Sequence, residues 1–149
     1  MPIEYPQVDE TCLASSFASV LHMAGYVEAG QKMNANISQL RQGQHLLVNF
    51  INFVNKMGIQ DAGGNRLVLR KQTAYNILGD TTLSSYSGAP VSVTLQAMNN
   101  NTTHAVAVYK DYIVDSSWDY ALPRTKESLD WSCAPSEFFK VYRVYVLTR

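Results

Sequence analysis

The first part of the chain carries apolar residues at the three- and four-residue spacing that is typical of amphipathic helices. Residues 12–24 show one such stripe, which consists of Leu13, Phe17, Leu21 and Ala24. Residues 38–57 show a second stripe, which consists of Leu47, Phe50, Ile51, Val54 and Met57. Gly25 follows the first stripe as a stop signal, and Ser38 precedes the second as a candidate N-cap. The spacing therefore predicts two helices.

The pattern changes to a period of two in the second part of the chain. Residues 59–89, between the two parts, combine a Gly-rich turn with mixed and Ser/Thr-rich segments and predict no clear element. Strands rich in valine and tyrosine are then predicted at residues 90–95, 105–109, 112–115 and 138–147. Helices followed by antiparallel strands predict an α+β fold. We expect a single domain over residues 1–149, with a helical half at about 9–80 and a sheet half at about 88–149.

Composition and charge narrow the classes of function. Apolar residues make up 46% of the 149 residues, which is enough to build a core. The 12 basic and 12 acidic residues cancel, so we expect no nucleic-acid partner. No run of about eighteen apolar residues occurs, so we expect no membrane span. The first ten residues, MPIEYPQVDE, lack the basic and apolar regions of a signal peptide, so we expect a soluble protein.

The two cysteines differ in their predicted surroundings. Two thiols are too few for a disulfide scaffold, and without C-x-x-C or H-E-x-x-H spacing we expect no metal and no cofactor. Cys12 lies in the predicted first turn of a helix, where unpaired N–H groups and the helix dipole favour a thiolate. A cysteine can also pack there as a small hydrophobe. Cys133 lies in an irregular stretch, and we expect it to be structural.

A cysteine nucleophile needs a histidine as its base or as its imidazolium partner. His22 lies on the predicted helix of Cys12 but about 15 Å further along its axis, so it cannot touch the thiol. His45 lies in the second predicted helix, ahead of the apolar stripe, which indicates a boundary position. His104 begins a predicted strand after a polar loop, where active-site side chains are commonly displayed. His104 is therefore the candidate base.

A predicted hairpin supplies a carboxylate for this histidine. If residues 110–111 form the turn, Tyr109 pairs with Tyr112, and Asp115 lies one diagonal step from His104 on the same face. A carboxylate there can accept the imidazole N–H and favour the charged ring. A slip of one residue would turn the carboxylate to the other face. The alternative interpretation is an ordinary polar rim of a hairpin.

The three candidates occur in an order that resembles a known family. Cys12 on the first helix, with His104 and Asp115 on consecutive late strands, resembles the arrangement in papain-like cysteine peptidases. Residues 5–12, YPQVDETC, are similar to the Gln-before-Cys entry of that superfamily. Three further segments resemble its sheet strands, at residues 89–93, 103–109 and 112–118. In length, the chain is nearer to the small peptidase domains that trim bacteriocin leaders and to bacterial effector proteases.

The resemblance implies a papain-like fold in which Cys12, His104 and Asp115 form a catalytic triad. It also implies that Gln7 donates an oxyanion-hole bond together with the backbone N–H of Cys12. Such donors stabilise the charge that develops on the attacked carbonyl oxygen. The expected location is the cytoplasm, or a host cell into which the protein is delivered as an effector.

The third catalytic position has two alternatives to Asp115. Alignment on Trp118 would place Ser116 there, and a shifted hairpin register would use Asp119 in the same stretch. The register described above favours Asp115.

The expected reaction is hydrolysis of a peptide or isopeptide bond through a thioester, with a protein or peptide as substrate and a monomer as enzyme. The same triad also supports acyl transfer, side-chain deamidation and transglutamination. Families of that kind usually place more chain before the cysteine than the eleven residues that precede Cys12, which favours a peptidase. A catalytically inactive papain-like binding module and a domain with incidental Cys and His are further alternatives.

Overall fold

A computed structural model describes the chain over residues 12–40, 46–72, 89–97, 103–110, 112–115, 122–123 and 139–149. Its helices are α1 (Cys12–Met23), α2 (Val27–Ala35), α3 (Ile37–Leu40) and α4 (Leu46–Lys56). Its strands are β1 (Val68–Gln72), β2 (Val91–Ala97), β3 (Thr103–Tyr109), β4 (Tyr112–Val114), β5 (Leu122–Pro123) and β6 (Phe139–Thr148). The fold is α+β with helices at the start of the chain, as predicted.

Helix α1 has the extent that its apolar stripe predicts. Most of its side chains are buried, including Ala14, Phe17, Ala18 and Leu21. The helix ends at Met23 and is followed by Gly25, whose φ of 100° is the left-handed conformation that glycine adopts without a Cβ penalty. The N–H of Gly25 donates to the carbonyl of His22 at 3.0 Å, and the N–H of Tyr26 donates to that of Leu21 at 2.9 Å. This pair of bonds is a Schellman motif, so the stop signal at Gly25 is confirmed.

Helix α2 is not predicted by the sequence pattern. It has too few apolar side chains to form a stripe. Its buried residues are Gly30 and Met33. Gly30 allows α2 to approach α1 closely. A Cβ at Gly30 would lie 2.8 Å from the carbonyl oxygen of Ala18 and 3.2 Å from the backbone nitrogen of His22. The backbones of the two helices are therefore in close contact at Gly30.

We expect Gly30→Ala to destabilise the protein although alanine is the better helix former. Alanine contributes about 1 kcal/mol of helix propensity relative to glycine. The new methyl group overlaps backbone atoms of α1 that cannot rotate away, and overpacking of this kind costs about 1–3 kcal/mol. Thermal unfolding should therefore show a lower midpoint. Gln31→Ala, at an exposed position of the same helix, is the matched control, and an equal or higher midpoint for Gly30→Ala would contradict the close approach.

The helix predicted over residues 38–57 is confirmed at residues 38–40 and 46–56, but its predicted N-cap is wrong. The structure shows α3 and α4 in this stretch, and residues 41–45 lie outside the described segments. Ser38 lies inside α3, one residue after its start at Ile37, and is therefore not the N-cap. The predicted apolar stripe of α4 is confirmed, because Phe50 and Val54 are buried and the flanking apolar side chains pack on the same cluster. None of the helices in the described segments is long and apolar enough to span a bilayer.

The strands form one sheet in the order β1-β6-β2-β3-β4-β5, and every described pairing is antiparallel. The four predicted strands correspond to β2, β3, β4 and β6. Strand β1 lies in the region for which the sequence predicts no clear element, and it pairs with β6, with Val68 opposite Thr148. The sheet therefore joins residues from the middle of the chain to its last segment.

Helix α1 packs across the middle of this sheet. Near its C-terminal end, Val20 and Met23 form a cluster with Ala107 of β3 and Val114 of β4. Phe17 contacts Tyr145 of β6 edge to face, with 5.8 Å between ring centroids. Alternate residues of the strands form a separate buried cluster, made by Val91, Val93, Leu95, Val106, Val108, Ile113, Val144 and Val146. This packing brings the first turn of α1 to the strand that carries His104.

Candidate active site

Cys12 is the first residue of α1, and its side chain is partly exposed. The Sγ atom accepts a hydrogen bond from the backbone N–H of Ala105 on β3, at 3.4 Å. The His104 side chain also lies within hydrogen-bonding reach of this sulfur. A sulfur at a helix N-terminus that receives an N–H donor is in surroundings that favour the thiolate.

The hairpin of β3 and β4 has the register that the sequence predicts. Tyr109 pairs with Tyr112, and Lys110 in the turn has a φ of 53°. The same register places Asp115 one diagonal step from His104. His104 Nε2 donates a hydrogen bond to Asp115 Oδ2 at 2.8 Å. The predicted contact between imidazole and carboxylate is therefore present in the structure.

Asp115 is almost completely buried, with 1% of its surface exposed. A buried carboxylate is costly unless a charged or hydrogen-bonding group faces it, and His104 is such a group. With Nε2 held by Asp115, Nδ1 is the ring nitrogen left to meet the sulfur of Cys12. The carboxylate thus determines both the orientation of the ring and its tautomer.

The protonated form of His104 is stabilised in this arrangement. Burial of the ring acts to lower its pKa, but hydrogen bonds and charge interactions with Asp115 and Cys12 outweigh burial. Together they raise the pKa of His104 from 6.5 to about 10. The ring is therefore an imidazolium at neutral pH.

The pKa of Cys12 shifts in the opposite direction. Burial of the thiol acts to raise its pKa, but the hydrogen bond and charge interaction with His104 and the N–H of Ala105 outweigh burial. The net result is a thiol whose pKa is lowered below its ordinary value. A lowered thiol pKa beside a protonated imidazole favours a thiolate–imidazolium pair, which is a nucleophile beside a proton donor.

The remaining candidates from the sequence have different outcomes. His22 lies in the last turn of α1, at the other end of the helix from Cys12. Four further residues lie outside the described segments, namely Gln7, His45, Ser116 and Asp119. Cys133 also lies outside them. The expected roles of these residues therefore remain predictions.

The backbone N–H of Ala105 is a part of the site that sequence reasoning missed. Every residue except proline carries such a group, so no sequence pattern could single it out.

Within the described segments, no group of His, Cys, Asp or Glu side chains suits a metal ion. Comparison of the chain with protein-family models, with curated proteins and with solved structures finds no match.

Proposed function

We propose that the chain is a papain-like cysteine peptidase that hydrolyses a peptide or isopeptide bond through a thioester. The observation that carries this proposal is the continuous contact from Cys12 to His104 to Asp115, with the sulfur at the N-terminus of a helix. The pKa of the thiol is lowered and that of the imidazole is raised, which are the directions that a nucleophile and a proton donor require. The order of the three residues along the chain supports the papain-like assignment.

The first half-reaction forms a thioester. The thiolate of Cys12 attacks the carbonyl carbon of the scissile amide, and the carbonyl oxygen becomes an oxyanion. The imidazolium of His104 then gives its proton to the leaving nitrogen as the carbon–nitrogen bond breaks. The products of this step are a free amine and an acyl group on Cys12. Asp115 keeps the ring in place and stabilises its positive charge before the proton is transferred.

The second half-reaction releases the acyl group. Neutral His104 now takes a proton from water, which attacks the thioester carbon. The carbon–sulfur bond breaks, a carboxylic acid leaves, and the thiolate–imidazolium pair forms again. Gln7 and the backbone N–H of Cys12 are the proposed donors to the oxyanion in both half-reactions. The substrate is a protein or peptide.

The pH dependence of Cys12 alkylation tests whether the pair exists. We expect iodoacetamide to label Cys12 with an apparent pKa below the ~8.5 of a free thiol, because His104 stabilises the thiolate. The Cys12→Ala variant measures labelling of Cys133 alone and serves as the control. Hydrolysis should follow a bell-shaped profile that rises with the Cys12 thiolate and falls near pH 10, where His104 loses its proton. An ordinary thiol profile at Cys12 would contradict the pair and would favour an inactive binding module.

The products of the reaction test its class. A peptide library incubated with the wild-type protein and with Cys12→Ala can be compared by mass spectrometry. Hydrolysis of a peptide bond gives new amino termini that the variant does not produce. Deamidation instead gives a mass gain of about one unit, and transglutamination gives a joined amine, because the same thioester then forms on a side-chain amide. Either of these results would replace the peptidase proposal with the corresponding acyl-transfer reaction.

A further inference from the structure

Two serine hydroxyls form a buried link between α1 and β2. Ser16 Oγ and Ser92 Oγ lie 2.6 Å apart, with 3% and 0% of these residues exposed. Ser16 Oγ also donates to the carbonyl oxygen of Leu13 at 2.6 Å. A hydroxyl has one hydrogen, so Ser92 is the donor to Ser16. The result is a directed hydroxyl relay from Ser92 through Ser16 to the Leu13 carbonyl.

The two ends of this relay are attached to the two halves of the proposed active site. Leu13 directly follows Cys12, and its carbonyl belongs to the first turn of α1. Ser92 pairs with Ala107 on β3, the strand that also carries His104. The relay thus connects the helix turn that holds the sulfur to the strand next to the one that holds the imidazole.

A buried polar link of this kind needs a reason, because an apolar contact would fill the same space without desolvating two hydroxyls. Apolar packing of α1 on the sheet is non-directional and tolerates small shifts of the helix. A hydrogen-bond relay restricts both distance and angle. The neighbouring Ser15 shows that burial alone does not require such a bond, since its hydroxyl is also buried and has no hydrogen-bond partner among the described residues.

We propose that Ser16 and Ser92 are positioning residues for Cys12. They hold the first turn of α1 at the place on the sheet where the sulfur meets both His104 and the N–H of Ala105. This inference rests on the proposed function, because the placement matters only if the thiolate is used. A misplacement of about 1 Å can reduce a reaction rate by about a hundredfold, so a small shift of the turn is enough to be measured.

Four variants test the relay: Ser16→Ala, Ser92→Ala, the double variant Ser16→Ala/Ser92→Ala and the control Ser15→Ala. Iodoacetamide labelling against pH reports the apparent pKa of Cys12 without any substrate, and thermal unfolding reports stability. Ser16→Ala leaves the buried hydroxyl of Ser92 without its acceptor, so it should lower the unfolding midpoint. The double variant removes both hydroxyls and should recover much of that loss.

We expect the apparent pKa of Cys12 and the unfolding midpoint to respond differently to the variants. Ser16→Ala and the double variant should both raise the apparent pKa of Cys12 by about one pH unit, which is a tenfold loss of thiolate below that pKa. Ser15→Ala should leave the Cys12 pKa unchanged and the stability equal or higher. If Ser16→Ala does not fold, Ser92→Ala gives the same test. It removes the hydrogen bond between α1 and β2 but leaves the bond from Ser16 to Leu13 in place.

A wild-type Cys12 pKa in the double variant would overturn the relay as a positioning device and leave it a structural contact. The Cys12 pKa could instead change in parallel with the unfolding midpoint and return toward its wild-type value in the double variant. That result would also overturn the relay as a positioning device. An ordinary thiol pKa in the wild-type protein is a different result. It would overturn the proposed function itself, and the positioning role with it.

Discussion

Cys12→Ala should abolish hydrolysis and leave the fold intact. The variant has no nucleophile to form the thioester, so we expect a loss of about 10⁴-fold or more in kcat/KM. The side chain is partly exposed at the start of α1, and the described contacts of its sulfur are with His104 and the N–H of Ala105. The free energy of unfolding should therefore change by no more than about 1 kcal/mol.

The measurements for this prediction are a cleavage assay and thermal unfolding of the same preparations. Cys133→Ala removes the other thiol and is the matched control, and we expect it to keep its activity. The opposite pattern, with Cys12→Ala active but severely destabilised, would make Cys12 a packing residue of α1. The proposed function would then fail.

His104 and Asp115 should behave as one unit in which Asp115 is the weaker member. His104→Ala removes the proton donor and should cost about 10⁴-fold in kcat/KM. Asp115→Ala removes the group that orients the ring. Its loss in kcat/KM should be about tenfold to a hundredfold smaller than the loss for His104→Ala. The double variant should lose about as much as His104→Ala alone, because without the ring the carboxylate has nothing to orient. Losses that simply multiply would mean that the two residues act independently.

Asp115→Asn provides a second measurement of the same unit. It keeps the size of the side chain and an oxygen that can accept from Nε2, but it removes the charge beside the imidazolium. The pKa of His104 should then fall from about 10 toward its ordinary value, and the alkaline limb of the activity profile should move to lower pH with it. A purely structural role of Asp115 would leave that limb unchanged.

The third catalytic position can be checked in the same experiment. Ser116→Ala and Asp119→Ala should have little effect if Asp115 is the orienting group, because Asp115 already bonds Nε2 at 2.8 Å. Asp115→Ala could leave kcat/KM unchanged while one of these two variants lowers it. The third catalytic residue would then lie further along the chain than we propose.

Much of the candidate site could be predicted from local sequence. The spacing of Phe17 and Leu21 defines α1 and places Cys12 in its first turn, because an apolar stripe of period 3.6 needs no information from elsewhere in the chain. The pairing of Tyr109 with Tyr112 determines which residues of the hairpin share a face, so the diagonal from His104 to Asp115 follows from local geometry. Both inferences use residues that are close together along the chain.

The rest depends on contacts between distant parts of the chain. Helix α2 lacks an apolar stripe and packs through the backbone at Gly30, so its sequence resembles that of a polar loop. Strand β1 exists because β6 pairs with it, and the bond from the Ala105 N–H to the Cys12 sulfur spans 93 residues.

Local sequence is enough to predict the α+β order, the helix of Cys12 and the shared face of His104 and Asp115, because period and turn chemistry act over a few residues. Three properties arise only from the packing of distant segments: the sulfur meets the imidazole, the relay from Ser92 reaches the first turn of α1, and the pKa values of Cys12 and His104 move in opposite directions. These properties depend on distance and desolvation, and both are set only when the helix and the sheet pack together.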